Sequence, residues 1–163
     1  MILLISIRTL KEEYLVDDNL DDKYLLSIIK KSQDFIIQPL LGITKLNELL
    51  DQIDNDSVTE DNSTLIKEYI QPVIAYYVLS EVVFATAYKM KNKGVEDGDQ
   101  YKFNELVSVA NHYLKDSQHY EQLLRDYLFR ANIILPLLTA EESKASGFNT
   151  GIFINWYDIN YCK

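Results

Sequence analysis

A chain of 163 residues with 47% hydrophobic and 25% charged residues is long enough for one buried core and reads as one soluble globular unit. Its net charge of −9 disfavours a protein that grips a nucleic-acid backbone, because an acidic surface repels phosphate. One cysteine, Cys162, excludes an internal disulfide and a multi-cysteine zinc site, and five Gly with three Pro favour long helices over many-turned sheets.

Residues 1–18 open with Ile2, Leu3, Leu4, Ile5 and Ile7, the pattern of a short strand or extended arm. One or two helical turns follow from Arg8. The start, MILLIS, lacks a basic leader and does not read as a signal peptide. Asp17, Asp18, Asp21 and Asp22 precede a helix predicted over 22–38. Carboxylates suit a helix N-terminus, where they cap free amides and meet the positive end of the dipole. The same acids lack the spacing of a calcium loop. Leu25, Ile28, Ile29, Phe35 and Ile36 form one apolar face. Pro39 ends the helix or kinks it, and Gly42 supplies a turn. Thr44 is placed to cap a short helix to residue 53, with Leu46, Leu49, Leu50 and Ile53 as its buried stripe.

The stretch 54–64, DNDSVTEDNST, has no apolar pattern and reads as a surface loop, with Ser63 or Thr64 capping a helix over about 65–90. Pro72 kinks this helix or splits a short segment from it. After Pro72 the sequence is apolar nearly all round, so the helix belongs at the centre, covered by neighbours or by another subunit. Glu81 is the one charge in the run 73–88. It reaches solvent or a Lys at the helix edge, or it makes a polar contact at a subunit interface. The run 73–88 is too short for a membrane span. Lys89, Lys91 and Lys93 suit the helix C-terminus, and Gly94 its cap.

The last and longest helix is predicted over about 100–135. Phe103, Leu106, Val107, Ala110, Tyr113, Leu114, Tyr120, Leu124, Tyr127, Leu128 and Ala131 recur in steps of three and four, a seam that packs along another helix. Glu121 and Arg125 form an i,i+4 pair. His112 and His119 lie ~10 Å apart along the axis, too far to share a metal. Pro136 stops the helix. A polar stretch then leads to GIFINWYDINYCK, whose Ile152, Phe153, Ile154, Trp156, Tyr157, Ile159 and Tyr161 are β-prone. Such a segment pairs with residues 2–7, docks on the bundle or adds to another chain.

No internal repeat, Gly-rich phosphate loop, nucleophile elbow or metal-ligand spacing is evident. No catalytic, cofactor-binding or metal residue is assigned, and the chain reads as a non-enzymatic module. The expected fold is mainly α: a bundle of about four helices with a long C-terminal helix, an extended N-terminal arm and a β-prone C-terminal tail. The units are the arm (1–18), the helical domain (19–136) and a docking tail (137–163).

The order of parts resembles a known family. An Asp-capped helix with an aromatic-aliphatic face (Asp21, Asp22, Tyr24, Leu25, Ile28, Ile29, Phe35) leads to a tight break and a short helix (Leu40, Leu41, Gly42, Leu46, Leu49, Leu50). An apolar helix ending in Lys-rich residues and Gly94, a final long helix and an extended tail complete the series. This arrangement, over about residues 20–135, looks like the head–tail connector, or head-completion adaptor, proteins of tailed bacteriophages. Its Tyr- and Asn-rich character is similar to the ring proteins of crAss-like phages. The resemblance implies a structural virion protein at the capsid vertex and tail neck, synthesised in the host cytoplasm. It would be a subunit of a homo-oligomeric ring, commonly dodecameric, that meets the portal protein and the next ring or tail component. DNA would pass the lumen without specific binding. The resemblance further implies that the helices at 73–88 and 103–128 supply core and lateral contacts, and that 54–62 and 151–161 dock on neighbours. Tyr76, Tyr77, Glu81, Phe84, Ile152, Phe153, Ile154, Trp156, Tyr157, Ile159 and Tyr161 are the interface residues expected. The alternative is an acidic helical decoy that mimics DNA, although the acids gather in two loops rather than along one face.

Overall fold

The computed structural model describes residues 2–14, 16–17, 19–92 and 99–131. Among these residues the chain forms helices and no strand: α1 (Ile7–Glu13), α2 (Asp22–Ser32), α3 (Gln38–Asp54), α4 (Glu60–Thr64), α5 (Gln71–Asn92) and α6 (Asp99–Arg130). The mainly α bundle with a long last helix is thus the fold. Of the predicted final helix, 132–135 lie outside the described residues, as do Gly94, Pro136 and the tail with Ile152, Phe153, Ile154, Trp156, Tyr157, Ile159 and Tyr161.

Local chemistry sets the helix starts. Ser6 caps α1 by accepting from the Thr9 amide, and Asp21 caps α2 by accepting from the Lys23 amide at 2.8 Å. Asp17 anchors the turn before it, accepting from both the backbone and the side-chain nitrogen of Asn19, and Asp22 pairs with Lys11 at 2.9 Å. These acids are caps and turn anchors, each satisfied by a neighbour.

Neither Pro39 nor Pro72 ends a helix. Each sits two residues after the end of a π-helical turn, Gln33–Ile37 before α3 and Leu65–Ile70 before α5. The Gln38 amide bonds back to the Gln33 carbonyl, and the Gln71 amide to that of Ile66. A proline lacks the amide that a helix requires and crowds the carbonyl four residues back. A wider turn just ahead of it loosens that crowding and lets the chain stay helical. Both joints read Ile-Gln-Pro followed by two aliphatic residues, at Ile37–Gln38–Pro39 and Ile70–Gln71–Pro72. Although the sequence shows no long repeat, this short joint occurs twice.

The real break in α3 is Gly42, with φ 76° and ψ 156°. The second helix of the pair therefore departs at an angle, burying Leu46 and Leu49. Residues 54–64 are not wholly loop. Glu60–Thr64 is already helical, and the cap is Thr59, which accepts from the Asn62 amide, rather than Ser63 or Thr64. Asn62 itself is buried. Its side-chain amide donates to Gln52 at 2.7 Å, and its oxygen accepts from Lys45. That network ties α4 to α3 and explains a polar residue in a sealed position.

Helix α5 is central. Val73, Ile74, Ala75 and Val78 are fully buried, against α2 through Leu25 and Ile29 in the core and against α6 through Leu124 and Leu128. The N-terminal segment forms no strand. Leu4 and Ile5 are buried in the same core. The Gln33 side-chain oxygen accepts from the Leu4 amide at 3.1 Å, and the Gln71 side-chain nitrogen donates to the Leu4 carbonyl at 3.0 Å. Two glutamines, one from each π-turn joint, thus satisfy both polar groups of a buried backbone unit, which would otherwise be destabilising.

Candidate docking surface

The antiparallel pair α5 and α6 dominates one side of the molecule. Tyrosines mark its seam. Tyr69 stacks on Tyr127 with ring centroids 4.3 Å apart, and Tyr76 stacks on Tyr120 at 5.4 Å and on Tyr113 at 6.4 Å. Tyr14, just after α1, meets Tyr76 edge-on at 6.1 Å. The heptad spacing of Tyr113, Tyr120 and Tyr127 places them in one row. Burial pushes the Tyr14 hydroxyl up to about 12, helped by Glu13 and the neighbouring phenols, and it raises Tyr76 as well. Ser117 lies in the seam at 3% exposure and donates to the Val73 carbonyl at 2.9 Å. A small hydroxyl there lets the two backbones approach closely.

Of the residues expected at an interface, Tyr76 is committed to this ladder. Tyr77 and Glu81 turn toward α2. The Tyr77 hydroxyl donates to Glu81 at 2.9 Å, Lys31 pairs with Glu81 at 3.0 Å, and the Lys31 ammonium stands 5.5 Å above the Tyr77 ring. Glu81 has its lysine, and that lysine comes from within the chain. Phe84 is half-buried, as are Val82, Val83 and Ala85. Past Glu81, none of these α5 side chains is sealed as Val73, Ile74, Ala75 and Val78 are. Across from them on α6, Phe103, Leu106 and Val107 are also half-buried. The far half of the hairpin therefore presents apolar side chains that one neighbouring helix covers only in part.

Other large apolar groups stand in the open: Phe35 at 77% and Phe129 at 78% exposure, with Ile43 beside the Gly42 break. The α3–α4 corner carries the exposed acids Asp51, Asp54, Asp56, Glu60 and Asp61. His112 approaches Asp116 at 3.7 Å and His119 packs edge-on to Tyr120, so the two histidines have separate neighbours. Among the described residues no cluster of His, Cys, Asp and Glu has metal-holding geometry, and no helix is long and apolar enough to cross a membrane. Behind the N-terminal segment lies a cleft of about 380 Å³ between Leu3, Ile53, Val58, Ile66 and Lys67.

Periodicity made the α5–α6 seam legible. It did not reveal the buried polar members Ser117, Gln33 and Asn62, whose partners are remote in the chain. The one available signal was the polar interruption at Ser117 within an otherwise apolar row.

Comparison with curated proteins and with solved structures finds no match. A family match covers residues 37–146, from the first Ile-Gln-Pro joint through α6, and so takes in both joints and the whole hairpin. The chain belongs to DUF6712, a family of unknown function.

Proposed function

We propose that the chain is a structural subunit of a phage head–tail connector, a homo-oligomeric ring that sits below the portal and extends the DNA channel toward the tail. The observation that carries this reading is the far half of the α5–α6 hairpin. Val82, Val83 and Phe84 on α5 and Phe103, Leu106 and Val107 on α6 are all half-buried, which leaves apolar surface on this two-helix arm. Such a face suits lateral packing against another copy, where apolar and aromatic groups gather at the centre of the contact. The order of the helices resembles that of connector proteins, and an acidic surface is compatible with a lumen through which DNA slides.

The test is native mass spectrometry of the purified chain, alone and mixed with the portal protein of the same genome. A closed ring or a stable portal complex is expected, and Phe84→Glu should prevent it while far-UV circular dichroism stays helical. A chain that remains monomeric throughout the concentration range and never binds portal would sink the reading. The acidic decoy reading draws on the exposed corner at Asp51, Asp54, Asp56, Glu60 and Asp61. It would appear instead as binding to a DNA-handling enzyme that duplex DNA competes away.

A further inference from the structure

Among the described residues, the three most exposed large apolar side chains are Phe129 at 78%, Phe35 at 77% and Ile43 at 54% exposure. Printed contacts put all three at one end of the bundle. Gln33, two residues before Phe35, holds Leu4 together with Gln71. Lys45, two residues after Ile43, reaches Asn62 on α4 at 3.1 Å. Tyr127, two residues before Phe129, stacks on Tyr69. These knobs therefore stand around the start of α5, where α4 leads into it. The half-buried arm lies elsewhere. Val82, Val83 and Phe84 are about 15–20 Å beyond Gln71 along α5, and Phe103, Leu106 and Val107 are about 30 Å or more back along α6 from Phe129.

Two separated apolar patches constrain how copies can meet. A two-fold contact sets one patch against itself and closes at a dimer, so the other patch stays in water. A head-to-tail contact sets one patch on the other and covers both. The shapes differ in the sense that such a contact requires. Phe35 and Phe129 project as single rings, and the arm is a two-helix surface with a groove between its rows of side chains. Charge does not oppose the contact. Asp34 and Arg130 adjoin the knobs, and Lys102 and Glu105 adjoin the arm, so both signs are present on each side.

We propose that copies of this chain meet head to tail, with Phe35, Ile43 and Phe129 of one copy seated on the surface formed by 82–84 and 103–107 of the next. The inference rests on the connector reading's use of the arm and adds the surface that the arm meets.

The test is native mass spectrometry of the full chain and of two blocked forms. Phe35→Glu with Phe129→Glu blocks the knobs and leaves the packing intact, since both rings stand in solvent. Phe84→Glu blocks the arm, with Val107→Glu as a second arm variant if the first loses its helical circular dichroism. The wild type should form assemblies larger than a dimer, and each blocked form alone should stay monomeric. An equimolar mixture of the two should give a one-to-one pair that grows no further, because one intact knob face meets one intact arm. A knob-blocked chain that assembles like the wild type would overturn the proposal and leave the connector reading in place. So would a wild type that is monomeric yet binds portal. A wild-type assembly that stops at a dimer, or a mixture of blocked forms that stays monomeric, overturns the head-to-tail contact as well.

Discussion

The clamp on Leu4 gives the most direct test of how this fold is held. Leu4 is 2% exposed and Gln33 is 1% exposed, and the Gln33 oxygen accepts from the Leu4 amide at 3.1 Å. Gln33→Leu keeps a bulky, though shorter, side chain and removes the acceptor, so the Leu4 amide is left buried without that partner. An orphaned buried donor costs ~1–3 kcal/mol, more than the ~0.5–1.5 kcal/mol of an ordinary hydrogen bond. Burying leucine in place of an amide offsets part of this. With a urea slope of ~1–3 kcal/mol/M, the unfolding midpoint should fall by about 1 M. Gln71→Ala removes the donor to the Leu4 carbonyl at a half-buried position and should cost less, ~0.5–1.5 kcal/mol. Because both act on one residue, the double variant should be less destabilised than the two singles added together. Urea denaturation followed by circular dichroism gives the midpoints, and hydrogen exchange at the Leu4 amide gives the local effect. An unshifted Gln33→Leu midpoint with the Leu4 amide still protected would refute the clamp.

Gly42→Ala should cost ~1–3 kcal/mol in thermal or urea unfolding, from backbone conformation alone, since φ is +76° and an added Cβ meets nothing within 4 Å. Ser117→Val should cost ~1–3 kcal/mol by crowding the α5–α6 seam and losing the bond to the Val73 carbonyl, whereas Ser117→Ala should cost only about 1 kcal/mol; equal costs would show that the seam has room. Lys31→Met should change stability by no more than about 1 kcal/mol, because its pair with Glu81 is part-exposed; a larger loss in a denaturation curve would count against that. The Tyr14 hydroxyl, raised to about 12 in the folded chain, binds its proton more tightly folded than unfolded. Its contribution is therefore complete below the ordinary tyrosine range and is lost as pH rises through about 12. Tyrosinate absorbance should show a late-titrating component that Tyr14→Phe removes.

The break at Gly42 was readable from residue type, but the treatment of the prolines was not. Pro39 and Pro72 read as stops or kinks because a regular α-helix has no place for them, and only the π-turns show how the chain stays helical past both. Glu60–Thr64 read as loop for a related reason. Its residues carry no apolar rhythm, and its one buried member, Asn62, is satisfied by Lys45 and Gln52 from the preceding helix. At the candidate docking surface, the seam residues Tyr113, Tyr120, Leu124 and Leu128 were legible. The pairing of Glu81 with Lys31 was not, because those residues stand 50 positions apart.

By itself the sequence determined what short-range physics controls. Spacing of apolar residues set the helical class and the buried faces, Asp21 set a cap, and the absence of polar variation in 73–79 put α5 at the centre. Tertiary structure decided what depends on distant partners. It turned Leu4 and Ile5 from part of a strand or extended arm into core, chose Gln33 and Gln71 to satisfy Leu4, and placed Ser117 against Val73. A buried polar group has no local signature. Its cost is offset only by a partner that the fold brings to it, so its place is settled when the helices meet.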